Sequence, residues 1–274
     1  MSRSIRRNAL LAFACAGALS FANPAFAIFQ NGGFELNDYS SWLLGGGSNP
    51  GLTGAPPFTG ANIQVTAGAP GPATLVNAVT DVRAPLLVLP RVGATTSKLN
   101  DEAGGRLVTT LRQIDTVTAA DIDPSDGLPH IRFSFAPVLE DPSHSAEDQP
   151  YFYVSLRRVS DNSLLFEQFA YSGQAGVNFL NGQAPWKYLQ FQDVDIVLPA
   201  NAIGEQVELT VLAADCSLGA HGGYVYIDGF GSAVLPPPGG SNAGIVQEVP
   251  ATSLWALLLM GLGMVWVARR NQQG

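Results

Sequence analysis

Cysteine is almost missing from this 274-residue sequence: it occurs twice, at Cys15 and Cys216. Cys15 lies in an N-terminal leader described below, so Cys216 stands alone and an intramolecular disulfide is excluded; stability must come from the core. Basic residues are also scarce, with 14 Lys and Arg against 22 Asp and Glu. Five of the 14 sit at the two ends, so residues 28–248 hold nine bases against all 22 acids, a net charge of −13 with histidines neutral. Such a surface cannot neutralise a run of phosphates, which excludes nucleic acid as a partner. No Gly-x-Ser-x-Gly elbow, His-Glu-x-x-His pair or phosphate-cradling glycine loop is present, and no Cys-x-x-Cys zinc spacing occurs. Between the ends, no stretch carries a long helical period with caps.

Long apolar runs occur only at the termini. Arg3, Arg6 and Arg7 precede an uncharged run from Ala9 to Phe21, and Ala25-Phe26-Ala27 offers small residues where a signal peptidase reads. Residues 1–27 are therefore expected to be a cleaved secretory signal peptide, with a mature start at Ile28. Val249 to Ala268 is twenty residues without a charge, enough to cross about 30 Å of hydrocarbon at 1.5 Å per residue, and Arg269-Arg270 supplies a positive-inside stop. Before it, "PPPGGSNAG" makes residues 236–248 a stiff and then flexible linker.

Residues 28–235 read as one all-β domain. Short alternating or apolar segments recur at 61–66, 86–89, 106–117, 130–139, 151–159, 164–171, 186–198, 205–213 and 223–230, separated by Gly, Pro, Asn or Asp clusters. Ile131, Phe133 and Phe135 share one face. Leu107, Thr109, Leu111, Gln113 and Asp115 form a mixed face that defines no clean core side. The Gly- and Pro-rich stretch 45–60 reads as a long loop, and "DIDPSDG" (121–127) and "EDPSHSAED" (140–148) as polar turns. The fold class expected is a jelly-roll β-sandwich with two antiparallel sheets over one core.

Several motifs carry resemblances. The tail, with Val249-Pro250, Ser253, Trp255 and then Arg269-Arg270, resembles the PEP-CTERM class of bacterial sorting tails, which implies an exosortase-type sorting protease as partner. Ala251-Thr252 stands where that class has Glu-Pro, so a related tail class and a permanent membrane anchor remain alternatives. "NGGFELNDYSSW" (31–42) and "YVYIDGF" (224–230) resemble the opening and closing segments of galactose-binding-like jelly rolls, an architecture shared by many carbohydrate-binding modules. "VLEDPSHSAEDQPYF" (138–152) and "DCSLGAHGGYVYIDGF" (215–230) resemble two blocks of a β-sandwich module of bacterial surface proteins.

The galactose-binding-like resemblance implies one structural calcium site, held here by Glu35 and Asp228, that pins the first and last segments together. Cys216 is expected to be buried, with His221 and His144 as hydrogen-bond partners. The alternative is a metal cluster of Glu140, His144, Cys216 and His221, whose thiolate and imidazole donors suit zinc. Trp42, Trp186, Tyr224 and Tyr226 have the ring faces that stack on sugars, but an early Trp and a Trp opening a late strand serve more often as core plugs. The expectation is an exported, noncatalytic surface or extracellular-matrix protein engaged in adhesion or polysaccharide association. The alternatives are a glycosidase-type enzyme on envelope polysaccharide, whose carboxylate pair leaves no sequence signature, and a matrix component without a specific ligand.

Overall fold

The computed structural model of the protein describes residues 28–237. The signal peptide, most of the linker and the sorting segment lie outside the described residues. Within them, no helix is long and apolar enough to cross a membrane.

The chain forms a β-sandwich. Its strands are β1 (Leu43–Ser48), β2 (Thr66–Ala67), β3 (Ala73–Val76), β4 (Val79–Thr80), β5 (Val88–Leu89), β6 (Thr96–Leu99), β7 (Leu107–Thr116), β8 (His130–Glu140), β9 (Tyr151–Arg158), β10 (Leu164–Tyr171), β11 (Leu180–Asn181), β12 (Trp186–Tyr188), β13 (Gln192–Val197), β14 (Gln206–Ala214) and β15 (Gly223–Gly231). One sheet runs β10-β9-β14-β7-β1-β2; the other runs β11-β12-β8-β15-β6-β3, with β13 continuing the β12 edge along β8. All pairings in both sheets are antiparallel. From β6 to β15 the long strands alternate between sheets except at the β9–β10 hairpin, which sets β7-β14-β9-β10 against β6-β15-β8-β13, the strand order of a jelly roll.

Strand alternation fills the space between the sheets. Ile131, Phe133, Phe135 and Leu139 of β8 meet Leu111 of β7, Phe152, Val154 and Leu156 of β9, and Leu209, Val211 and Ala213 of β14. Burying each large side chain contributes about 1.5–3 kcal/mol. The mixed face of β7 proves to be the core side: Thr109 and Leu111 are fully buried and Gln113 nearly so. Its polar groups are consumed by the N-terminal segment, because Gln113 donates to the carbonyls of Gln30 and Ser41, and Asp115 accepts the Phe29 N–H at 2.8 Å. A second apolar layer covers the outer face of the β8 sheet. There Ala84, Leu87 and Leu89 of the β4–β5 hairpin close over Ala136, Val138, Trp186, Tyr188, Tyr224 and Tyr226.

Two expectations change. Residues 45–48 belong to β1 instead of a loop: Cβ atoms on Gly46 and Gly47 would stand 2.0 Å from the carbonyl oxygens of Val108 and Thr66, so glycine is what lets the neighbouring strands approach. "DIDPSDG" is more than a solvated turn. Asp121 is fully buried, Asp123 pairs with buried Arg132 at 2.6 Å, and Asp126 accepts from His130 at 3.0 Å.

His130 also meets Asp195 of β13 at 2.6 Å, so both ring nitrogens face carboxylates. Burial and the neighbouring Arg132 push its pKa down, but the bonds to Asp195 and Asp126 outweigh them and the net direction is up. A raised histidine pKa stabilises the fold fully below the unfolded value of about 6.5, and that contribution is lost as pH rises through the folded value. The melting temperature should therefore fall as pH climbs from about 6.5, and the His130→Gln protein should show a flatter profile in the same thermal scans.

Candidate functional site

The early and late segments of the domain meet at one turn, Arg91–Thr95. Asp228 on β15 is fully buried; its Oδ2 accepts the Arg91 and Val92 N–H groups at 2.8 and 3.1 Å and its Oδ1 accepts the Gly229 N–H at 2.7 Å. Glu35 approaches from the other side, its Oε1 accepting the N–H groups of Ala94 and Thr95 at 2.8 and 3.2 Å. The resemblance assigned the pinning of these segments to calcium; here backbone amides do it. Amide hydrogens carry partial positive charge and point at three of the four carboxylate oxygens, whereas calcium takes six to eight oxygen ligands, so the pair as built does not fit the ion.

The four aromatic residues considered for sugar stacking lie in the interior. Trp42 is wedged among Phe29, Phe34 and Phe230, with ring centroids 5.3–6.5 Å away, and its indole N–H donates to the Asn31 carbonyl. Trp186, Tyr224 and Tyr226 form the layer under the β4–β5 hairpin. Both tyrosine hydroxyls donate to Asp81 at 2.6–3.1 Å, and the Lys98 ammonium sits 3.8 Å above the Tyr224 ring. Burial, with Asp81 beside them, pushes both phenols far above their usual pKa, so they remain donors. With exposures of 0–6% these rings have no face to offer a ligand; they are core plugs, the commoner role for such residues.

His144, Cys216 and His221 come together. One ligand atom from each lies within 4.8 Å of the others, the thiol Sγ is 3.6 Å from His221 Nδ1, and the two imidazoles meet edge to face at 4.9 Å. Cys216 is buried and both histidines are partly exposed. The Cys216–His221 turn is closed by the Cys216 N–H on the His221 carbonyl at 3.0 Å. Glu140 stands behind it, donating its own N–H to the Gly222 carbonyl and accepting the Gly222 N–H on Oε2, both at 3.1 Å. Gln149 fixes the other loop by donating to the His144 carbonyl. His221 is the expected partner of the thiol. His144 is not a satisfied hydrogen-bond partner, since its Nδ1 is buried with no partner.

Side chains that escaped the sequence reading line the outer face of the β7 sheet. In register across four strands stand Thr110, Leu212, Tyr153 and Phe169, then Arg112, Thr210, Ser155 and Glu167. At one end Phe58 and Leu52, from the loop after β1, cover Tyr151 and Tyr153. Phe169 and Tyr171 at the β10 edge remain half-buried, leaning on Phe58 at 6.5 and 6.0 Å. The signal was the alternation in "FEQFAY", which puts Glu167, Phe169 and Tyr171 on one face.

No family model and no curated protein matches this sequence. Among solved structures it is similar to a domain of bacteriophage CBA120 tailspike protein 4 (11% identity, TM-score 0.37), covering 74% of this chain and 21% of that one. It is also similar to a CBM27 of Caldicellulosiruptor saccharolyticus solved with mannohexaose (12%, TM-score 0.32, 58% and 80%). A third is the K1 cleaved adhesin domain of Lys-gingipain from Porphyromonas gingivalis (12%, TM-score 0.33, 72% and 92%). Likeness this slight leaves function to be argued from the residues themselves.

Asp228→Ala should strand the buried N–H groups of Arg91 and Val92 and the part-buried one of Gly229, and destabilise the domain by about 3 kcal/mol. Chemical denaturation checks this, and the loss should be the same with calcium and with a chelator.

Proposed function

We propose that this protein is a noncatalytic, exported surface module that associates with a neutral polysaccharide through the outer face of the six-stranded sheet. The observation that carries the reading is the half-buried pair Phe169 and Tyr171 beside Glu167, Ser155, Thr210 and Arg157. A pyranose needs an aromatic face for its C–H surface and polar groups at the rim for its hydroxyls, and this edge supplies both. Charge narrows the glycan class. At −13 over residues 28–248, the domain repels uronate- or phosphate-rich chains, and a neutral polymer escapes that cost.

Export is read from the leader, whose cleavage would leave Ile28 as the first residue. Sorting to the envelope by an exosortase-type protease, through Val249-Pro250, Ser253, Trp255 and Arg269-Arg270, completes the reading. Intact-mass measurement on envelope-derived protein should give a species that begins at Ile28 and lacks the apolar tail.

Affinity electrophoresis through gels cast with neutral polysaccharides tests the binding face. Phe169→Ala and Tyr171→Ala should each weaken retardation about tenfold, equivalent to about 1.4 kcal/mol, while melting cooperatively like the parent. Unchanged retardation in both variants, or release of sugar from the polymer by the parent, would sink the proposal.

A further inference from the structure

We propose that His144, Cys216 and His221 form a zinc site, with three protein ligands and a fourth position open towards solvent. Zinc takes thiolate sulfur at about 2.3 Å and imidazole nitrogen at about 2.1 Å, so a tetrahedral ion holds its S and N ligands about 3.6 Å apart. The thiol and His221 Nδ1 stand at that separation, 3.6 Å. A thiol–imidazole hydrogen bond alone would also account for that distance, but it leaves His144 without a role. The buried Nδ1 of His144 has no hydrogen-bond partner, a cost the fold bears unless something else occupies that lone pair.

The surroundings hold the ligands in place before any ion arrives. Glu140 grips Gly222 next to His221, Gln149 grips the His144 carbonyl, and the Ser217 N–H bonds to the Asp148 carbonyl at 3.1 Å, tying the two ligand loops together. Gly104 presses the 101–105 loop against the turn, where a Cβ would stand 2.9 Å from the His221 backbone nitrogen. This is the support that keeps metal ligands from collapsing onto one another. The donor set narrows the ion. Sulfur and imidazole exclude calcium and magnesium, and residues 28–237 contain no methionine for the axial thioether usual in blue-copper centres, which favours zinc. Binding releases the thiol proton and removes a free thiolate from oxidation, which accounts for a lone cysteine in an exported chain.

The test uses the full chain purified without chelator. Elemental analysis should give one zinc per protein, and cobalt should exchange in with a thiolate-to-cobalt charge-transfer band. Cys216→Ser should abolish that band, and His144→Ala and His221→Ala should each weaken cobalt binding at least tenfold while still unfolding cooperatively. Zinc retained in full by Cys216→Ser, no charge-transfer band in protein whose thiol reacts on denaturation, or copper in place of zinc in the purified protein would overturn the assignment.

A second inference rests on a different observation and on the reading of cleavage before Ile28. We infer that the α-ammonium exposed by that cleavage pairs with Asp121. The Ile28 nitrogen already lies 2.8 Å from Asp121 Oδ1, and Asp121 is fully buried, with no Lys, Arg or His within ion-pair distance among the described residues. Its Oδ2 accepts from the Thr118 N–H and hydroxyl, which are neutral donors. A buried carboxylate lacking a counter-ion is costly, and the new terminus brings one. The mature mass reports cleavage separately. Protein starting at Ile28 should melt several degrees above protein retaining Ala27. That advantage should shrink as pH rises past the ammonium pKa, above about 8, and vanish in Asp121→Asn. Equal melting temperatures, or a difference that survives Asp121→Asn, would overturn the pairing.

Discussion

Carboxylates that hold backbone N–H groups, most of them buried, are the interaction on which the rest of this structure depends. Asp228 takes three such groups, Glu35 two, Asp121 those of Ile28 and Thr118, Asp115 that of Phe29, and Asp215 those of Leu107 and Gly223. Asp81 takes the amides of Arg83 and Ala84 as well as two tyrosine hydroxyls. Each of these acids fastens irregular chain to a sheet, supplying the acceptors that segments outside a ladder lack. With nine bases available to 22 acids, amides are the donors the chain has in number.

The same device positions the chemistry. Asp215 precedes Cys216 and holds three donors, among them the Asn100 amide at 2.8 Å, while Asn49 donates to the Asp215 carbonyl at 2.7 Å. Burial pushes the Asp215 pKa up to about 6, so near neutral pH the group is still ionised and accepts all three. The thiol therefore leaves β14 from a fixed point. The five-residue return to His221 is then closed by the turn's own backbone bonds, which brings the imidazole back over the sulfur.

Much of this was legible in the sequence, and the failures share a cause. β10 spans the segment read from alternation, and β7, β8, β9, β14 and β15 fall within a residue or two of it, because side chains there alternate between a core and another environment. The segment 186–198 holds two strands, β12 and β13, which follow one β8 edge with a break between them. β6, "TSKL", carried no apolar signal, yet every residue in it is buried: Thr96 donates to the Ile227 carbonyl, Ser97 meets the Tyr39 hydroxyl and Lys98 spans the Tyr224 ring. β1 was hidden by glycines whose use is close backbone approach. The 121–127 run looked solvated because the Ile28 contact of Asp121 lies 93 residues away, outside any local window, and because the partners of Asp123 and Asp126, Arg132 and His130, sit on the next strand, where burial is set by the sheet. The convergence of Cys216 with His221 was readable from five-residue spacing and intervening glycine. The place of His144 beside them depended on pairing β15 with β8, which a sequence does not display.

The two outer faces of the sandwich divide the remaining work. Over β8 and β15 the β4–β5 hairpin forms a roof sealed by Asp81 and by Arg83 stacked 5.4 Å from Trp186, so the aromatic residues there are spent on stability. Over β7, β14 and β9 the covering loop stops at Phe58, where Gly60 passes so close to Tyr153 that a Cβ would stand 2.5 Å from the ring, and its amide is tied to Glu167. Beyond that point Arg112 pairs with Glu208 in the open, and the β10 edge presents its rings half-covered. An aromatic face can serve a ligand only where the fold has not already used it. In the described domain that condition holds at Phe169 and Tyr171, where the roof ends.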